Sequence, residues 1–206
     1  MRGRLVVLEG GEACGKSTQA ALLAPRLGAV LTREPGGTVA GERIRTLLLD
    51  PELGAGLDAR AEALLMAAAR AQHVAEVVAP ALASGRAVVS DRFIGSSLAY
   101  QGYGRGLPRD ELAALSAFAT GGLDADVVVL LDLPAAEAAT RRGPVPDRLE
   151  AAGEAFHRRV EEGFAALAAD DPAHWVVVDA RGSIDEVAER VWKEVSSRLH
   201  LSGAGS

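Results

Sequence analysis

An octapeptide near the N-terminus constrains the fold more than any other feature of this sequence. Residues 10–17 read Gly-Gly-Glu-Ala-Cys-Gly-Lys-Ser, which fits the pattern Gly-x4-Gly-Lys-Ser/Thr. An apolar run at residues 5–8 precedes the motif and a helical pattern follows it, and this is the strand–loop–helix context that the motif requires. The segment therefore predicts a phosphate-binding loop (P-loop) between a strand and a helix.

The residue types explain how this loop would hold a nucleotide. Gly10 and Gly15 allow the backbone to curl, so that successive N–H groups face the phosphate oxygens, and the following helix directs its positive end at the same anion. Lys16, one of two lysines in the chain, can reach the outer phosphates, and the Ser17 hydroxyl can ligate Mg²⁺. The candidate ATP-binding residues are Gly10, Gly11, Glu12, Ala13, Cys14, Gly15, Lys16, Ser17 and Thr18.

Short apolar runs alternate with helical patterns along the chain. Strands are predicted at residues 5–8, 29–31, 87–89, 127–131 and 175–178. Helices are predicted at residues 16–27, 39–49, 58–83, 108–119, 134–141, 150–168 and 183–199, whereas the glycine-rich residues 96–106 carry no helix prediction. The runs lack polar alternation, as expected where helices cover both faces of a sheet. We therefore predict an α/β fold, a doubly wound parallel β-sheet of about five strands flanked by helices.

Length and composition exclude several classes of protein. The 206 residues carry a formal net charge of −6, which argues against binding to nucleic acid or an anionic membrane. Cys14 is the only cysteine, so no disulfide forms within the chain. No apolar run approaches the roughly 18 residues of a membrane span, and the N-terminal run is too short for a signal peptide. We expect a cytoplasmic protein with one domain, residues 1–201, and a flexible tail, residues 202–206.

A P-loop alone leaves three classes open: a GTPase switch, an ATP-driven motor or sensor, and a kinase for a small substrate. The chain contains no Asn, so it lacks the Asn-Lys-x-Asp motif of GTPases. A motor would be longer and would have a hydrophobic strand that ends in a lone metal-ligating acidic residue. In this chain Arg92 directly follows Asp91 at the end of the corresponding strand. The pair suggests a metal ligand, Asp91, next to an arginine that binds a second anion.

The second anion is indicated by arginines placed after predicted strands or on the helices that lead from them. Ligands of open α/β sheets bind at the carboxyl ends of the strands, where these segments converge. An arginine-lined site beside ATP suits a phosphorylated acceptor, and a nucleoside monophosphate is the acceptor of this kind that we expect. The arginines are Arg33, Arg45, Arg70 and Arg92.

The sequence resembles the bacterial thymidylate kinases (dTMP kinases), which are P-loop nucleoside monophosphate kinases, over essentially its whole length. Two of the matching segments are highly specific: Thr-Arg-Glu-Pro-Gly-Gly from Thr32, and Ser-Ser-Leu-Ala-Tyr-Gln-Gly-Tyr-Gly-Arg-Gly from Ser96. The full set of matching segments is residues 10–18, 32–38, 41–45, 91–93, 96–106 and 147–150.

The resemblance implies a P-loop kinase fold with a mobile lid and a Mg²⁺·ATP-dependent reaction that converts dTMP to dTDP in dTTP synthesis. Transfer would be direct and in line, with no phosphoenzyme, and the enzyme would be a homodimer. Two alternatives stay open at this point. One is a kinase for another pyrimidine monophosphate such as dUMP, and the other is a catalytically weak nucleotide-binding sensor.

The resemblance also implies roles for individual residues. Arg70 would bond the thymine carbonyl, Gln101 would read the base edge, and Tyr100 would lie against the 2′ carbon of the deoxyribose. Asp91 and Glu12 would act with Ser17 near Mg²⁺, directly or through water. The dTMP-binding set is Arg33, Glu34, Pro35, Arg45, Met66, Arg70, Arg92, Ser96, Ser97, Tyr100 and Gln101, where Met66 replaces the aromatic residue usual in the family.

The catalytic arginine is expected in the lid. In the family it comes from the P-loop or from the lid, and residues 10–18 contain no arginine. The lid, at about residues 141–150, has the glycine and proline content of a loop that moves as a unit. We predict Arg142 and Arg148 at the transferring phosphate and Arg141 in solvent. The predicted catalytic residues are thus Lys16, Asp91, Arg92, Arg142 and Arg148.

Overall fold

The structure is a computed structural model that describes residues 2–141 and 146–201. Within those ranges one parallel sheet has the spatial order β2-β3-β1-β4-β5. Chain order reverses around β1, so the loops after β1 and β3 meet at the switch point where ligands of such sheets bind. The five strands are β1 Leu5–Glu9, β2 Val30–Arg33, β3 Val88–Asp91, β4 Val127–Asp132 and β5 Trp175–Asp179.

The α/β prediction is confirmed, and the strands begin and end within two residues of their predicted bounds. The three central strands are almost fully buried because apolar helix faces cover both sides of the sheet. The edge strands β2 and β5 are only partly covered, which the sequence did not indicate. The helices are α1 Lys16–Arg26, α2 Val39–Leu49, α3 Ala59–His73, α4 Ala79–Ala83, α5 Ile94–Ser97, α6 Arg109–Thr120, α7 Ala135–Arg141, α8 Glu154–Asp170 and α9 Ile184–Arg198.

Two π-helical segments extend helices of the fold. The first, Val74–Val78, joins α3 to α4, so the single helix predicted at residues 58–83 is continuous but locally widened. The second, Leu98–Gly104, continues α5 through the glycine-rich segment that carried no helix prediction. Its buried glycine positions allow close packing, since a Cβ at Gly104 would lie 2.6 Å from the Phe156 ring. A π-helical turn often marks a functional segment, and this one presents Tyr100 and Gln101.

Local capping fixes where several helices begin. The Thr38 hydroxyl accepts the Gly41 N–H at the start of α2, and Ser183 and Glu186 form a reciprocal capping box at the start of α9, as their spacing predicts.

None of the helices that the structure describes combines the length and apolarity needed to span a bilayer.

Candidate active site

The P-loop joins β1 to α1 through a backbone that requires glycine. Gly10 and Gly15 have φ values of 142° and 95°, and a Cβ on Gly10 would lie 2.7 Å from the Leu131 carbonyl oxygen. No side chain caps the N-terminus of α1, so the N–H groups of its first turn remain available to an anion. Lys16 is buried, and its Nζ donates to the Gly11 carbonyl oxygen at 2.5 Å. These features fit a loop that encloses phosphate groups.

Ser17 and Asp91 form the candidate magnesium site. The Ser17 hydroxyl donates to Asp91 Oδ2 at 2.5 Å, while Asp91 Oδ1 is buried without a hydrogen-bond partner among the residues that the structure describes. A buried carboxylate oxygen without a partner beside a hydroxyl fits Mg²⁺, which takes oxygen ligands and needs few from the protein when phosphates supply the rest. Among the described residues, no group of three or more His, Cys, Asp or Glu side chains forms a larger metal cluster.

A pocket opens beside the P-loop at the carboxyl ends of β1, β2 and β3. It collects ten of the eleven residues predicted to bind dTMP, Arg33 being the exception. We call it the acceptor pocket. It is lined by Glu12, Glu34, Pro35, Arg45, Leu49, Met66, Arg70, Arg92, Phe93, Ser96, Ser97, Tyr100, Gln101, Asp147 and Leu149.

Arg92 organises the end of the pocket nearest the P-loop. Its guanidinium donates to Glu12 Oε1 at 2.9 Å, to the Gly10 carbonyl oxygen and Ser96 Oγ at 3.1 Å, and to the Tyr100 hydroxyl at 3.2 Å. Its φ of 72° is unusual outside glycine, and such backbone conformations concentrate at functional sites. The sequence predicted Arg92 at this site. It did not predict that Arg92 would contact four other groups there.

Glu12 stays ionised in this cluster although it is largely buried. Burial alone would raise its pKa, but the positive charges of Arg92 and Lys16 outweigh burial and hold the pKa at about 2. The Tyr100 hydroxyl also donates to Glu12. Because its carboxylate is engaged by Arg92 and Tyr100, Glu12 belongs to the acceptor side of the P-loop rather than to the Ser17–Asp91 pair.

A buried chain of hydrogen bonds holds Arg70 at the opposite end of the pocket. Arg70 Nε donates to Glu34 Oε2 at 2.8 Å, and the other Glu34 oxygen lies 2.8 Å from His73 Nδ1. His73 Nε2 in turn contacts Thr32 Oγ1 at 2.6 Å. Arg70 Nη2 also donates to Ser97 Oγ at 3.0 Å. Glu34 therefore positions Arg70. Neither His73 nor Thr32 was predicted to take part, because nothing in the sequence connects either residue with Glu34.

The middle of the pocket is apolar on one side. Met66 of α3 is half-buried there with Pro35, Leu49, Phe93 and Leu149. Phe93 and Leu149 lie within the matching segments 91–93 and 147–150, so these segments could have suggested them. A flat ring is the ligand that such an apolar wall suits.

Arg33 and Arg45, both predicted to bind dTMP, differ in whether they line the acceptor pocket. Arg45 lines the pocket and donates to the Pro35 carbonyl oxygen at 2.9 Å. Arg33 does not line the pocket and pairs with Glu42 at 2.9 Å on the surface. Arg33 is the last residue of β2 and its side chain is exposed, whereas Glu34, just after the strand, is buried and lines the pocket. The structure therefore does not place Arg33 at the predicted monophosphate site.

The only lid arginine of the predicted catalytic pair that the structure describes, Arg148, is not in the expected arrangement. Arg142 lies outside the described residues. Arg148 does not reach the P-loop, because its guanidinium donates to Glu62 Oε2 at 2.7 Å and to the Leu48 carbonyl oxygen at 2.6 Å. Its backbone N–H also bonds the Leu49 carbonyl, which fastens this segment to the end of α2. The expectation that Arg148 faces the transferring phosphate is thus not met in this structure.

A second pocket opens on the other side of the P-loop. The sequence did not indicate that Ala180 and residues 182–184 would line it. Arg141 is exposed, as expected, but it also lines this pocket and donates to the Ala180 carbonyl oxygen at 3.4 Å. The lining residues are Ala13, Cys14, Gly15, Thr18, Gln19, Arg141, Ala180, Gly182, Ser183, Ile184 and Val187.

Comparisons with known proteins agree on one family. The thymidylate kinase family model matches residues 8–191. A thymidylate kinase from Synechococcus sp. is 50% identical over 205 residues, 97% of this chain and 98% of that protein. One from Deinococcus radiodurans is 47% identical over 207 residues, 97% of this chain and 99% of its own.

Solved structures give the same result. The crystal structure of thymidylate kinase from Ehrlichia chaffeensis superimposes with a TM-score of 0.79 at 30% identity, and the match covers 95% of this chain and 100% of that one. Sequence, fold and pocket therefore agree, and this chain belongs to the thymidylate kinase family.

Proposed function

We propose that this chain transfers the terminal phosphoryl group of ATP to dTMP and releases dTDP and ADP. The observation that carries the proposal is the acceptor pocket, which combines arginines beside the P-loop with a polar base-reading end formed by Arg70 and Gln101. Both specific sequence motifs contribute to it, and the family relationship agrees with it.

The monophosphate would lie between Arg45 and Arg92. Guanidinium forks match phosphate oxygens in a bidentate manner, better than an ammonium group does. The second pKa of a phosphate monoester is about 6, so the acceptor is already ionised near neutral pH and needs no general base. The main electrostatic barrier is then repulsion between two anions, which Arg92 and Lys16 would reduce by placing positive charge on both sides of the transferring group.

The base would occupy the other end of the pocket. Arg70 would donate to the O4 carbonyl of thymine, and Gln101 would accept from its N3–H. Tyr100 would lie against the 2′ carbon of the sugar, where a ribose hydroxyl would clash. A site whose buried polar groups match one base rejects another because those groups would be left unpaired.

ATP would be held by the P-loop, with its adenine in the second pocket beside Arg141. Ser17 and Asp91 would hold Mg²⁺, which when bound neutralises charge on the phosphates. The transition state of phosphoryl transfer gains most from positioned positive charge. We assign Arg142 to that task from its place in the lid sequence, at about residues 141–150 of a single kinase domain that spans residues 1–201.

We also propose a cytoplasmic homodimer, as the family resemblance implies. Leu64 of α3 and Phe118 of α6 are 58% and 87% exposed on helices that pack against each other. Large exposed apolar side chains on adjacent helices favour burial against a partner. Light scattering in solution tests this proposal, and a monomer at all concentrations would refute it.

The activity is tested by coupled measurement of ADP release with Mg·ATP and dTMP, dUMP, dCMP, dGMP, AMP or CMP as acceptor. We expect the highest kcat/KM with dTMP. Higher turnover with dUMP or another pyrimidine monophosphate would favour the alternative acceptor. ATP binding without turnover of any acceptor would favour a nucleotide-binding sensor.

The substitution Met66→Phe is expected to lower the KM for dTMP. Met66 lies in the apolar wall of the acceptor pocket, and an aromatic ring there would stack on the base. The gain of about 0.5–1.5 kcal/mol corresponds to a KM roughly two- to tenfold lower. Steady-state kinetics at saturating ATP measure the effect, and the KM for ATP serves as the internal control. An unchanged or higher KM for dTMP would mean that Met66 does not face the base.

A further inference from the structure

Glu62 of α3 is a fully buried carboxylate behind the acceptor pocket. Its Oε1 accepts Gln101 Nε2 at 2.9 Å and Arg105 Nε at 3.3 Å. Its Oε2 accepts Arg105 Nη2 at 3.0 Å and Arg148 Nη2 at 2.7 Å. Both oxygens are therefore fully engaged by donors. Nothing in the sequence marked Glu62, which looks like an ordinary charged residue of a helix.

Glu62 is ionised at neutral pH. Burial alone would raise its pKa, but the hydrogen bonds from Arg105 and Gln101, the positive charge of Arg105 and the Arg148 bond outweigh burial and keep the pKa below its usual value. An ionised carboxylate accepts hydrogen bonds and donates none. The contact with Gln101 therefore admits only one orientation of the amide.

That orientation decides what Gln101 offers to a ligand. A glutamine amide has a donating NH₂ end and an accepting oxygen end. Turning the amide over would set its oxygen against the Glu62 carboxylate, so Nε2 must face Glu62. Gln101 lines the acceptor pocket, and its Oε1 makes no hydrogen bond with any residue that the structure describes. The accepting end is left for the ligand.

We propose that Glu62 is a positioning residue that fixes the Gln101 amide with its oxygen toward the base. The inference rests on the proposed function, in which the base of the acceptor nucleotide lies beside Gln101. The site then accepts a hydrogen bond from a ring N–H and excludes a ring nitrogen that itself accepts.

The consequence is discrimination between pyrimidines. Thymine carries a hydrogen on N3, whereas N3 of cytosine is an acceptor. A freely turning glutamine amide could serve either ring, because its two ends are nearly equal in size. A fixed amide can hydrogen-bond only a ring that carries a hydrogen on N3. When cytosine is bound, the Gln101 oxygen and N3 of the ring are two acceptors that face each other.

The first test compares kcat/KM for dTMP and dCMP in Glu62→Gln. An amide at position 62 both donates and accepts, so Gln101 is no longer held in one orientation. We expect the dTMP/dCMP ratio to fall by at least about tenfold, with the KM for ATP unchanged. The substitution Glu62→Asp keeps the charge for the arginines but is one methylene shorter, and a smaller fall in the ratio is expected. Equal losses for both acceptors, or an unchanged ratio, would overturn the proposal.

Arg105→Met is the matched control. It removes one ion pair from Glu62 and leaves the Gln101 contact in place, and its side chain can still cover the Phe156 ring over which Arg105 lies. We expect the variant to lose thermal stability and to keep the dTMP/dCMP ratio. A fall in the ratio equal to that of Glu62→Gln would mean that loss of packing, not the amide orientation, controls selectivity.

The double variant Glu62→Gln with Gln101→Glu exchanges the two side-chain types. The amide at position 62 then donates to the carboxylate at position 101, the charge of the pair is conserved, and only oxygen faces the base. We expect the dTMP/dCMP ratio to recover relative to Glu62→Gln, and a ratio that stays low would overturn the proposal. If Glu62→Gln does not fold, the double variant is compared with the wild type instead, and a dTMP/dCMP ratio at least about tenfold below the wild-type ratio would overturn the proposal. Failure of the wild-type protein to use dTMP would instead refute the proposed function.

Discussion

The substitution Arg142→Ala is expected to lower kcat by about 10³–10⁵-fold, the range for an arginine that stabilises a transferring phosphoryl group. The P-loop contains no arginine, and Arg92 is already engaged by Glu12 and Tyr100. On the proposed function, we therefore expect the lid to bring the additional charge to the transition state. Because this charge acts in the transition state, ATP binding should be nearly unaffected. Single-turnover kinetics give the loss in rate, and titration with a nucleotide analogue gives the affinity.

Arg148→Ala is the matched comparison. Its guanidinium is held by Glu62 and the Leu48 carbonyl, so we expect a much smaller loss in kcat. The variant should instead be less stable by about 1–3 kcal/mol, because buried acceptors lose a partner. Thermal and urea unfolding measure this cost. If Arg148→Ala lost as much turnover as Arg142→Ala with unchanged stability, Arg148 would belong at the transferring phosphate.

The sequence predicted the sheet well because burial leaves a direct pattern. Residues 127–131 are apolar without interruption, and β4 is covered on both faces. The segment 98–104 was not predicted to be helical, because four of its seven residues are glycine or tyrosine, types that suit turns or strands. Its helical form depends on packing against α8, including the close approach of Gly104 to Phe156. Contacts of that kind cannot be predicted from local pattern.

The acceptor pocket was predicted better than the contacts that hold it in place. Arg92 and Gln101 belong to segments that match the family, whereas Arg70 lies outside those segments and its role at the base came from the resemblance. Glu62 gives no comparable signal, because only the fold shows that it is buried against donors. The exclusion of Arg33 could not have been predicted either, since its pairing with Glu42 on the surface is seen only in the fold.

The second large effect is expected for Arg92→Met, with kcat/KM for dTMP lower by about 10²–10³-fold. Arg92 joins Glu12, Ser96, Tyr100 and the Gly10 carbonyl, so the substitution removes the positive charge at the proposed monophosphate site and leaves Glu12 facing the ligand. Methionine keeps much of the side-chain volume. Steady-state kinetics with dTMP and direct titration with ATP separate loss of the acceptor site from loss of the fold.

Acid unfolding gives an independent measurement on the same variant. Glu12 has a pKa of about 2 in the folded protein against an ordinary value of 4.5, so it adds stability that is complete above pH 4.5 and lost as pH falls through about 2. Removing the charge of Arg92 raises this pKa, so the fall in Tm across that pH window should be shallower in Arg92→Met than in the wild type.

Arg33→Met removes the same charge from the surface of a neighbouring strand and serves as the control. Because Arg33 pairs with exposed Glu42, kcat/KM and acid stability should change little, since surface ion pairs contribute about 0–1 kcal/mol. A loss of dTMP turnover in Arg33→Met as large as that in Arg92→Met would show that Arg33 reaches the monophosphate when the acceptor binds. If only Arg92→Met is impaired, the charge at the switch point between β1 and β3 is the one that the acceptor requires.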